Sequence, residues 1–419
     1  MTYEEVLDWI HSQLKFGIKP GIERVKWLLN ELGNPHQQLT AVHVVGTNGK
    51  GSTVNYLQTI FSSVGYEVGS FTSPYIMDFR ERISLNGNMI SKEDLVFLAN
   101  HIKPIVERLP IETGFEPATE FEIITVMMCY YFGKVHPVDI AFIEAGLGGL
   151  YDSTNVFHAK AVICPSIGLD HQDILGKTYQ EIAHQKVGVL TAGEPFIFAT
   201  EKQSVEKVFL TEANEKSCPT YQFDKDFFIT SRDNGFDFEY KNFRITNIVL
   251  DMKGKHQMIN ASLVIMTCLL LNKDFPKLSA DLIKLGLEKS HWLGRTELLS
   301  SHLMIDGAHN RESVEALVKV MQNDYSDKKI HILFSAINTK PIDDMLAMLE
   351  EIGELTVTSF HYPRAVALDQ YPQKYRKVTQ FQDWLKSYQE DSETDFYLIT
   401  GSLYFISEVR QYWLKKNNN

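Results

Sequence analysis

The sequence has little cysteine and lacks a long apolar run. Its four cysteines (Cys129, Cys164, Cys218 and Cys268) are scattered and form no Cys-x-x-Cys pair, so neither a structural zinc site nor a disulfide framework is indicated. No apolar stretch reaches the roughly 20 residues of a membrane span. The N-terminus MTYEEVLDWIH is acidic and does not resemble the start of a signal peptide. These absences predict an unexported, soluble protein of the cytoplasm.

Basic residues are also fewer than acidic residues. The chain carries 41 Lys and Arg against 53 Asp and Glu, for a formal net charge of -12. A nucleic-acid binder normally carries a basic stripe, so we expect no nucleic-acid partner and no membrane partner. Anionic substrates must then be held by local groups. At 419 residues the chain is long for one hydrophobic core, which favours two or more domains.

Strand-like and helix-like segments alternate along the first part of the chain. LTAVHVV (39–45), VDIAFIE (138–144) and AKAVICP (159–165) have the composition of buried strands, and glycines and the helical pattern VNYLQTIFSSVGY follow the first. This alternation predicts an α/β fold with a mainly parallel sheet, whose ligands lie at the carboxyl ends of the strands. Residues 223–250 alternate over short runs and predict a small antiparallel excursion, and residues 257–271 predict a buried helix.

After Arg295 the α/β pattern begins again. LMIDGAHN, KIHILFSAI, ELTVTSF and FYLITGS are four candidates for buried strands. They predict a second, smaller α/β domain, with a boundary near Thr296 to Ser301. We therefore expect one domain over residues 1–296 and another over 297–419.

The stretch GTNGKGST (46–53) resembles a phosphate-binding loop with altered spacing. The usual pattern has a glycine five positions before the Gly-Lys pair and a Ser or Thr directly after the lysine, whereas Val44 and Gly51 fill those places here. A strand, a glycine-rich turn and a helix N-terminus together favour a polyphosphate. We predict Lys50 beside the terminal phosphates and Ser52 or Thr53 on magnesium. The alternative is an ordinary glycine turn.

Polar residues follow the other predicted strands. Glu144 ends the second strand, where its carboxylate could hold magnesium, and His171 follows the third. Asp306 and His309 of DGAHN follow an apolar run in the second half, where they could meet a ribose hydroxyl, an amino group or a phosphate. Each has a plain alternative: a solvated glutamate, a structural histidine and an Asp-Gly turn. Arg295 could close over phosphates or form a boundary salt bridge.

Lys186 lies in the helical, fairly apolar segment IAHQKVGVL. A lysine in such a place usually buries its stem and keeps its ammonium group in water. A lysine that loses its charge on burial can instead react with carbon dioxide and form a carbamate, an anion able to bind a metal. Spacing alone does not decide between the two. The polar loop Asp152 to Asn155 has turn capping as its plain explanation.

Taken together, these segments resemble the successive motifs of one family, the folylpolyglutamate synthases of the ATP-dependent Mur ligase superfamily. They run in order from Gly17 in KFGIKPG to Tyr404 and include GTNGKGS, SFTSPYIMDFRERI, TEFEIIT, EAGLGGLYDSTNV, LDHQDILG, HQMINA, HWLGRTE, DGAHN and ITGSLY. The resemblance implies a P-loop domain, a smaller Rossmann-like C-terminal domain and ATP bound between them. It also accounts for the loop spacing, because the family's magnesium-binding hydroxyl stands one place further on, at Ser52.

The resemblance implies roles for further residues. Those implied for ATP are Thr47, Asn48, Gly49, Lys50, Gly51, Ser52, Thr53, Asn260, Arg295 and Asp306. Those implied for metal are Ser52, Ser73, Glu144, His171 and Lys186, with Lys186 carbamylated. Those implied for folate are Arg82, Thr119, Glu120 and Phe121, and the implied catalytic residues are Lys50, Lys186 and His309. Two Mg²⁺ ions, a monovalent cation and ATP as cosubstrate are the expected small partners of a monomeric enzyme.

The implied activity is a ligation. ATP would phosphorylate the γ-carboxylate of a folate's glutamate tail, and L-glutamate would attack the acyl phosphate with release of ADP and phosphate. The nearest alternative is a bifunctional enzyme that also uses dihydropteroate. A cell-wall ligase for UDP-linked muramyl substrates is a second alternative, against which TEFEIIT and SPYIMDFRERI argue. A third is a nucleotide-binding switch without a product.

The sequence departs from the family's pattern at three places. Arg311 follows DGAHN where proline is usual, and Lys340 lacks its common acidic neighbours. Leu150 stands where bifunctional relatives often carry arginine. The first two bear on contacts in the C-terminal domain, and the third bears on the range of substrates.

Overall fold

The computed structural model describes residues 1–13, 21–389 and 392–417. Gly17, at which the family motifs begin, lies outside the described residues. Of the helices within these ranges, none combines the length and the apolar character needed to cross a membrane.

The chain forms two compact units, and each contains a short segment that is separate in sequence from its main part. The first unit comprises Met1–Leu250 and Met258–Ser290, and the second comprises Asp251–Gln257 and His291–Asn419. The second unit thus takes up the chain shortly before the boundary predicted near Thr296. The functional division into residues 1–296 and 297–419 stays a prediction.

An eight-stranded sheet lies at the centre of the first unit, in the order β4-β3-β2-β5-β1-β6-β7-β8. Neighbours from β2 to β8 are parallel, whereas β3 and β4 add an antiparallel edge. The inner strands are buried throughout, as is typical of a parallel sheet covered on both faces. The strands are β1 (Ala41–Val44), β2 (Val68–Phe71), β3 (Ile83–Leu85), β4 (Asn88–Met89), β5 (Ile140–Glu144), β6 (Ala161–Cys164), β7 (Phe196–Phe198) and β8 (Thr220–Gln222).

The helices of the first unit begin at residues suited to that position. Thr119 and Thr178 each accept a backbone N–H three residues on, so their hydroxyls satisfy donors that a helix leaves unpaired. The helices are α1 (Tyr3–Ser12), α2 (Glu23–Glu31), α3 (Lys50–Ser63), α4 (Lys92–Thr113), α5 (Glu120–Tyr130), α6 (Gln172–Leu175), α7 (Tyr179–Val187), α8 (Gln203–Glu215), α9 (Lys255–Leu271) and α10 (Ala280–Lys289). Helix α9 begins within the short segment that belongs to the second unit.

The predicted antiparallel excursion is confirmed as a three-stranded sheet. It consists of β9 (Phe228–Arg232), β10 (Gly235–Tyr240) and β11 (Phe243–Ile248), with β10 in the middle. The Asp237 carboxylate accepts hydrogen bonds from the Arg232 and Arg244 side chains, and this arrangement ties the three strands together on one face.

The second unit is built on a six-stranded sheet in the order β12-β13-β17-β14-β15-β16. Its strands are parallel except for β12, which is antiparallel to β13. The strands are β12 (Glu297–Ser300), β13 (Leu303–Asp306), β14 (Lys329–Phe334), β15 (Glu354–Val357), β16 (Arg376–Lys377) and β17 (Asp395–Thr400), and the helices are α11 (Arg311–Asp324), α12 (Ile342–Glu350), α13 (Phe381–Leu385) and α14 (Leu403–Asn417). The mixed α/β fold class predicted from the sequence is confirmed, including its smaller second sheet.

The strand order determines which loops meet. Strands β5 and β6 flank β1, so the segments after Val44, Glu144 and Cys164 leave the sheet side by side at one edge. His171 was predicted at the end of the third strand, but β6 already ends at Cys164. His171 instead precedes α6. Helix α3 begins at Lys50, earlier than the apolar pattern from Val54 suggested.

Candidate active site

The loop after β1 needs glycine at two positions. Gly46 has φ of +139° and Gly49 has φ of +89°, and a side chain is strained in that region of backbone space. A Cβ atom at Gly49 would also lie 2.7 Å from Asn260 Oδ1. The second glycine therefore allows α3 to begin directly at Lys50. It also leaves space for the Asn260 side chain to lie against the loop.

The segment after β6 anchors residues 46–53, which we call the phosphate loop. Thr47 N donates to Ser166 O at 2.9 Å, and Asn48 N donates to Ser166 Oγ at 3.0 Å. The Thr47 hydroxyl donates to Gly168 O at 3.2 Å and accepts from Gly168 N at 2.9 Å. The backbone before Gly49 is thus fixed from one side, by residues 166 to 168.

Both hydroxyls predicted for magnesium are buried in the first turn of α3. Thr53 Oγ1 donates to Gly49 O at 2.9 Å, so this hydroxyl satisfies a carbonyl group at the start of the helix. Ser52 is also buried. Thr53 thus hydrogen-bonds back to the residue before the helix, whose N-cap, Gly49, offers no side chain for capping.

Glu144 joins the phosphate loop to the segment after β2. Its side chain is buried at the end of β5, with Oε1 3.7 Å from Lys50 Nζ. Its Oε2 accepts a hydrogen bond from Ser73 N at 3.1 Å. Lys50 Nζ also donates to Thr47 O at 3.3 Å. The structure therefore brings together Lys50, Ser73 and Glu144. Lys50 and Glu144 were expected to meet because they follow predicted strands, whereas Ser73 was implied only by the family resemblance.

Lys186 is a buried residue of α7, with 5% of its surface exposed. Its Nζ donates to Gly46 O at 2.8 Å. Burial, together with the nearby Lys50 ammonium, lowers the Lys186 pKa to about 7, although Cys164, Asp170 and Asp152 act in the opposite direction. A substantial fraction of the amine is then neutral near pH 7, which is the condition for reaction with carbon dioxide.

The donor set suits magnesium better than a transition metal. In the described part of the chain, no cluster of three or more His, Cys, Asp or Glu side chains has the geometry to hold a metal ion. The Glu144 carboxylate and the Ser52 hydroxyl are oxygen donors, and magnesium takes few protein oxygens and keeps several waters. His171 has φ of +51°, and its Nε2 lies 4.0 Å from Asp170 Oδ2.

The loop after β5, residues Gly146 to Asn155, lies between two parts of the site. We call it the glycine loop. A Cβ at Gly146 would lie 2.4 Å from the Phe121 ring, and a Cβ at Gly149 would lie 2.3 Å from Lys186 O. Leu150 N also donates to Gln185 O at 2.7 Å. The loop therefore packs on α7 at one point and on the start of α5 at another.

Arg82 and Glu120, both predicted for folate, form a buried ion pair. Arg82 Nη2 lies 2.9 Å from Glu120 Oε1, and the guanidinium group is 5.4 Å from the Tyr75 ring centroid and 5.1 Å from the Phe79 ring centroid. Arg82 Nε, Arg82 Nη1 and Glu120 Oε2 are buried without a hydrogen-bond partner. Buried polar atoms are nearly always paired, so this group has hydrogen-bonding capacity left for a ligand.

The other two predicted folate residues flank that pair at the start of α5. Thr119 Oγ1 accepts from Glu122 N at 3.3 Å and so caps the helix. The Phe121 ring lies 5.8 Å from the Phe71 ring, centroid to centroid. The four residues thus come from two segments. A helix cap and an aromatic contact fix the segment at the start of α5.

Three predicted residues meet in the second unit. Asp306 ends β13, and its carboxylate accepts from Thr296 N at 2.7 Å and from Ala308 N at 2.8 Å. Burial raises the Asp306 pKa, and the charge of Arg295 opposes this shift. His309 Nδ1 lies 2.8 Å from Gly307 O. Asp306 therefore orders the DGAHN turn, and Arg295 lies beside it. Arg311, which replaces the usual proline, is exposed and lies 3.6 Å from Asp344.

The sequence alone did not single out Ser166, Asp170, Tyr75 or Phe79. Ser166 and Asp170 stand in the polar cluster after the third predicted strand, and that position was the available signal. Tyr75 and Phe79 stand in SFTSPYIMDFRERI, where no spacing rule marks them as partners of Arg82.

Comparison with known proteins gives consistent matches over the whole chain. No family model matches it. The chain is 38% identical to the dihydrofolate synthase/folylpolyglutamate synthase of Bacillus subtilis, covering 98% of this chain and 99% of that protein. It is 32% identical to the folylpolyglutamate synthase of Lacticaseibacillus casei, with 98% of each covered. A solved FPGS–AMPPCP–folate complex matches with a TM-score of 0.86 and 31% identity, covering 99% of this chain and all of the other.

Proposed function

Because the chain belongs to the folylpolyglutamate synthase family, we propose that it is an ATP-dependent ligase that adds L-glutamate to the γ-carboxylate of folates. The observation that carries the proposal is the group formed by Lys50, Glu144 and Lys186 at the phosphate loop. A solved relative carries an ATP analogue and folate together, which is the substrate pair that this reaction needs.

The chemistry requires activation of a carboxylate. A γ-carboxylate oxygen attacks the γ-phosphorus of ATP, the bond to the ADP oxygen breaks, and an acyl phosphate forms. The amine nitrogen of L-glutamate then attacks the acyl carbon, loses a proton, and phosphate leaves with its bonding electrons. No enzyme nucleophile takes part, so the protein contributes positioning and charge neutralisation.

We assign charge neutralisation to Lys50 and to the start of α3. The ammonium group of Lys50 donates to Thr47 O and faces Glu144, so both groups hold it at the loop. Fixed charges in a partly buried site stabilise developing negative charge more strongly than they would in water. We also assign Asn48, Gly51 and Thr53 to ATP.

We propose that Ser52, Ser73 and Glu144 would hold magnesium, together with His171, which precedes α6. Bound there, magnesium would screen the phosphate oxygens from the incoming carboxylate. We propose two metal positions and leave a monovalent cation as a further expectation from the family resemblance.

We propose that Lys186 is carbamylated in the active enzyme. Its support is the buried amine with a pKa lowered to about 7, because only the neutral amine reacts with carbon dioxide. The carbamate would replace an ammonium group by an anion close to Lys50, and such an anion suits a second metal position.

We propose that the pterin part of folate lies against Arg82, Thr119, Glu120 and Phe121. A pterin ring carries donors and acceptors on its edge and an aromatic face. The unpaired atoms of Arg82 and Glu120 supply both donor and acceptor, and Phe121 supplies an aromatic surface. In the second unit we assign Arg295, Asp306 and His309 to ATP, with Asn260 in the first unit.

Use of dihydropteroate is the second candidate activity. The 38% identical relative is named for both activities, whereas the 32% identical relative is named for one. Leu150 stands at the position where bifunctional relatives often carry arginine. An assay with dihydropteroate as the only pterin, L-glutamate and ATP decides this question: formation of dihydrofolate establishes the second activity.

The proposed ligase activity is tested by ADP release. ADP should appear only when tetrahydrofolate and L-glutamate are both present with ATP, whereas a nucleotide switch would show no such dependence.

We propose that the protein works in a reducing cytoplasm, and the four buried free cysteines support this proposal. A monomeric state also stays a prediction.

A further inference from the structure

His43 is a polar residue in the middle of the parallel sheet of the first unit. It lies on β1 opposite Ile143 of β5 and Val162 of β6, and its side chain is almost completely buried. A buried polar group costs free energy unless it is hydrogen-bonded. The ring meets this requirement through Thr154, because its Nε2 lies 2.8 Å from Thr154 Oγ1.

The direction of this hydrogen bond is fixed by the next residue in the chain of contacts. Thr154 Oγ1 donates to Asp152 Oδ1 at 2.5 Å, and a hydroxyl group has one proton to donate. Thr154 must therefore accept from His43 Nε2–H. Burial lowers the His43 pKa to about 3, so the ring is neutral and its proton resides on Nε2. Donation thus runs from His43 to Thr154 to Asp152.

Asp152 organises the glycine loop from within. Its Oδ2 accepts from Leu147 N at 2.6 Å, and its Oδ1 also accepts from Thr154 N at 3.0 Å. Asn155 Nδ2 closes the same loop on Leu150 O at 3.0 Å. The carboxylate is therefore the internal support of the loop, and the bond from His43 connects that support to β1, a strand held on both sides.

The glycine loop touches two groups with proposed roles. It begins after Glu144 and Ala145, places Gly146 against the Phe121 ring and rests on the Lys186 carbonyl oxygen at Gly149. A change in the position of the loop therefore changes the spacing between the proposed acceptor site and α7.

The phosphate loop shares one support with the glycine loop, because Lys186 Nζ donates to Gly46 O, and its other anchors are separate. Its hydrogen bonds from Thr47 and Asn48 go to Ser166 and Gly168, on the segment after β6. None of these bonds passes through Thr154. Loss of the contact between His43 and Thr154 should then disturb the glycine loop and leave the nucleotide cradle in place.

We propose that His43 and Thr154 are positioning residues that act through Asp152 to hold the glycine loop where the folate substrate requires it. This inference rests on the proposed ligase function. A purely structural role would predict lost stability alone, without selective loss of folate use.

Two pairs of variants test the inference. Thr154→Val removes the hydroxyl at nearly constant shape, and Thr154→Ser keeps it. His43→Leu removes the donor, and His43→Gln places an amide N–H near the position of Nε2. Thr267→Val is the matched control, because Thr267 Oγ1 is a buried hydroxyl that donates to Leu263 O at 2.8 Å within α9.

Steady-state kinetics and amide hydrogen exchange are measured for each variant. In Thr154→Val and His43→Leu, kcat/KM for tetrahydrofolate should fall at least about tenfold, because a misplacement of about 1 Å can cost about 10²-fold. The KM for ATP should change less than about twofold, and exchange in residues 146–155 should become faster. Thr154→Ser and His43→Gln should recover most of kcat/KM. The double variant should be no worse than the poorer single variant, since both break one connection.

The inference is overturned if Thr154→Val keeps its kcat/KM for tetrahydrofolate, if the KM for ATP rises in parallel, or if exchange in residues 146–155 matches that of Thr267→Val. A failure of the proposed function gives a different result. In that case the wild-type protein itself releases no ADP with tetrahydrofolate and L-glutamate, and both the function and the inference fall.

Discussion

Lys186 Nζ donates a hydrogen bond to the Gly46 carbonyl oxygen at 2.8 Å, so a buried lysine of α7 supports the first glycine of the phosphate loop. The two residues are 140 positions apart in sequence. The contact places the residue proposed for carbamylation directly beside the proposed ATP cradle. A substitution of Lys186 is therefore expected to affect the phosphate loop as well as the proposed metal position.

Lys50→Ala should abolish most glutamate-dependent ADP release. The change removes a fixed positive charge that we assign to the phosphates, and loss of one such stabilising group costs about 10² to 10³ in rate. The thermal unfolding midpoint should change little, because the ammonium group is not part of the core. Lys177→Ala, which removes an exposed lysine paired with Asp173, is the control. Turnover near the wild-type rate in Lys50→Ala would refute the assignment of the loop.

Lys186→Ala should lose most activity, and added short carboxylates should partly restore it. The alanine leaves space at a buried site where the carbamate anion is proposed to lie, so a small carboxylate can replace it. The measurement is kcat as a function of acetate or formate concentration, with chloride at equal ionic strength as control. An alanine variant with the wild-type rate would contradict the carbamate proposal.

The unfolding free energy should depend on pH through Lys186. Its pKa is lowered from 10.5 to about 7 in the folded protein, so the unfolded chain binds more protons between these values. Stability from this group therefore rises with pH from about 7 to 10.5, by about 1.4 kcal/mol per unit. In metal-free buffer without carbon dioxide, the wild type should show a steeper rise than Lys186→Met by denaturant titration. Equal slopes would mean that the amine is not perturbed.

Glu120→Gln should raise the KM for tetrahydrofolate at least about tenfold and leave the KM for ATP unchanged. The change removes an acceptor charge from the Arg82 pair, whose unpaired atoms we assign to the pterin, and an unpaired buried group costs about 1 to 3 kcal/mol. Asp237→Asn is the matched control, since it weakens a buried carboxylate bound by two arginines in the antiparallel sheet. That control should lose stability only. A Glu120→Gln variant with normal KM would remove this pair from the folate site.

Some of the fold could be predicted because its signals are local. β1, β5 and β6 are apolar, β-branched runs followed by glycine or polar residues, and those features indicate buried parallel strands. β7 and β8 have three residues each, and such short runs do not stand out from a helix or a loop. Helix α3 begins at Lys50 because of the loop that precedes it, whereas Gly51 is a poor helix former and conceals that start.

Without the family resemblance, a site residue could be predicted only where it stands at or just after the end of a single strand. Glu144 was placed correctly because it ends a clear strand. The pairing of Arg82 with Glu120 joins two segments far apart in sequence, and no local pattern specifies it. The same holds for His43 and Thr154, since an isolated histidine in an apolar strand resembles any core residue until its partner is known. Asp306 and Asp152 both accept hydrogen bonds from backbone N–H groups of turns. Such a structural role was the alternative to a functional one that the sequence offered for each.

Product analysis by mass spectrometry tests the proposed ligation most directly. The protein is incubated with tetrahydrofolate, ATP, magnesium and L-glutamate, and the pteroyl products are separated by mass. The account predicts folate species that are longer by one or more glutamate residues, formed only with ATP and absent with Lys50→Ala. Nucleotide hydrolysis without any glutamate-extended folate would contradict it.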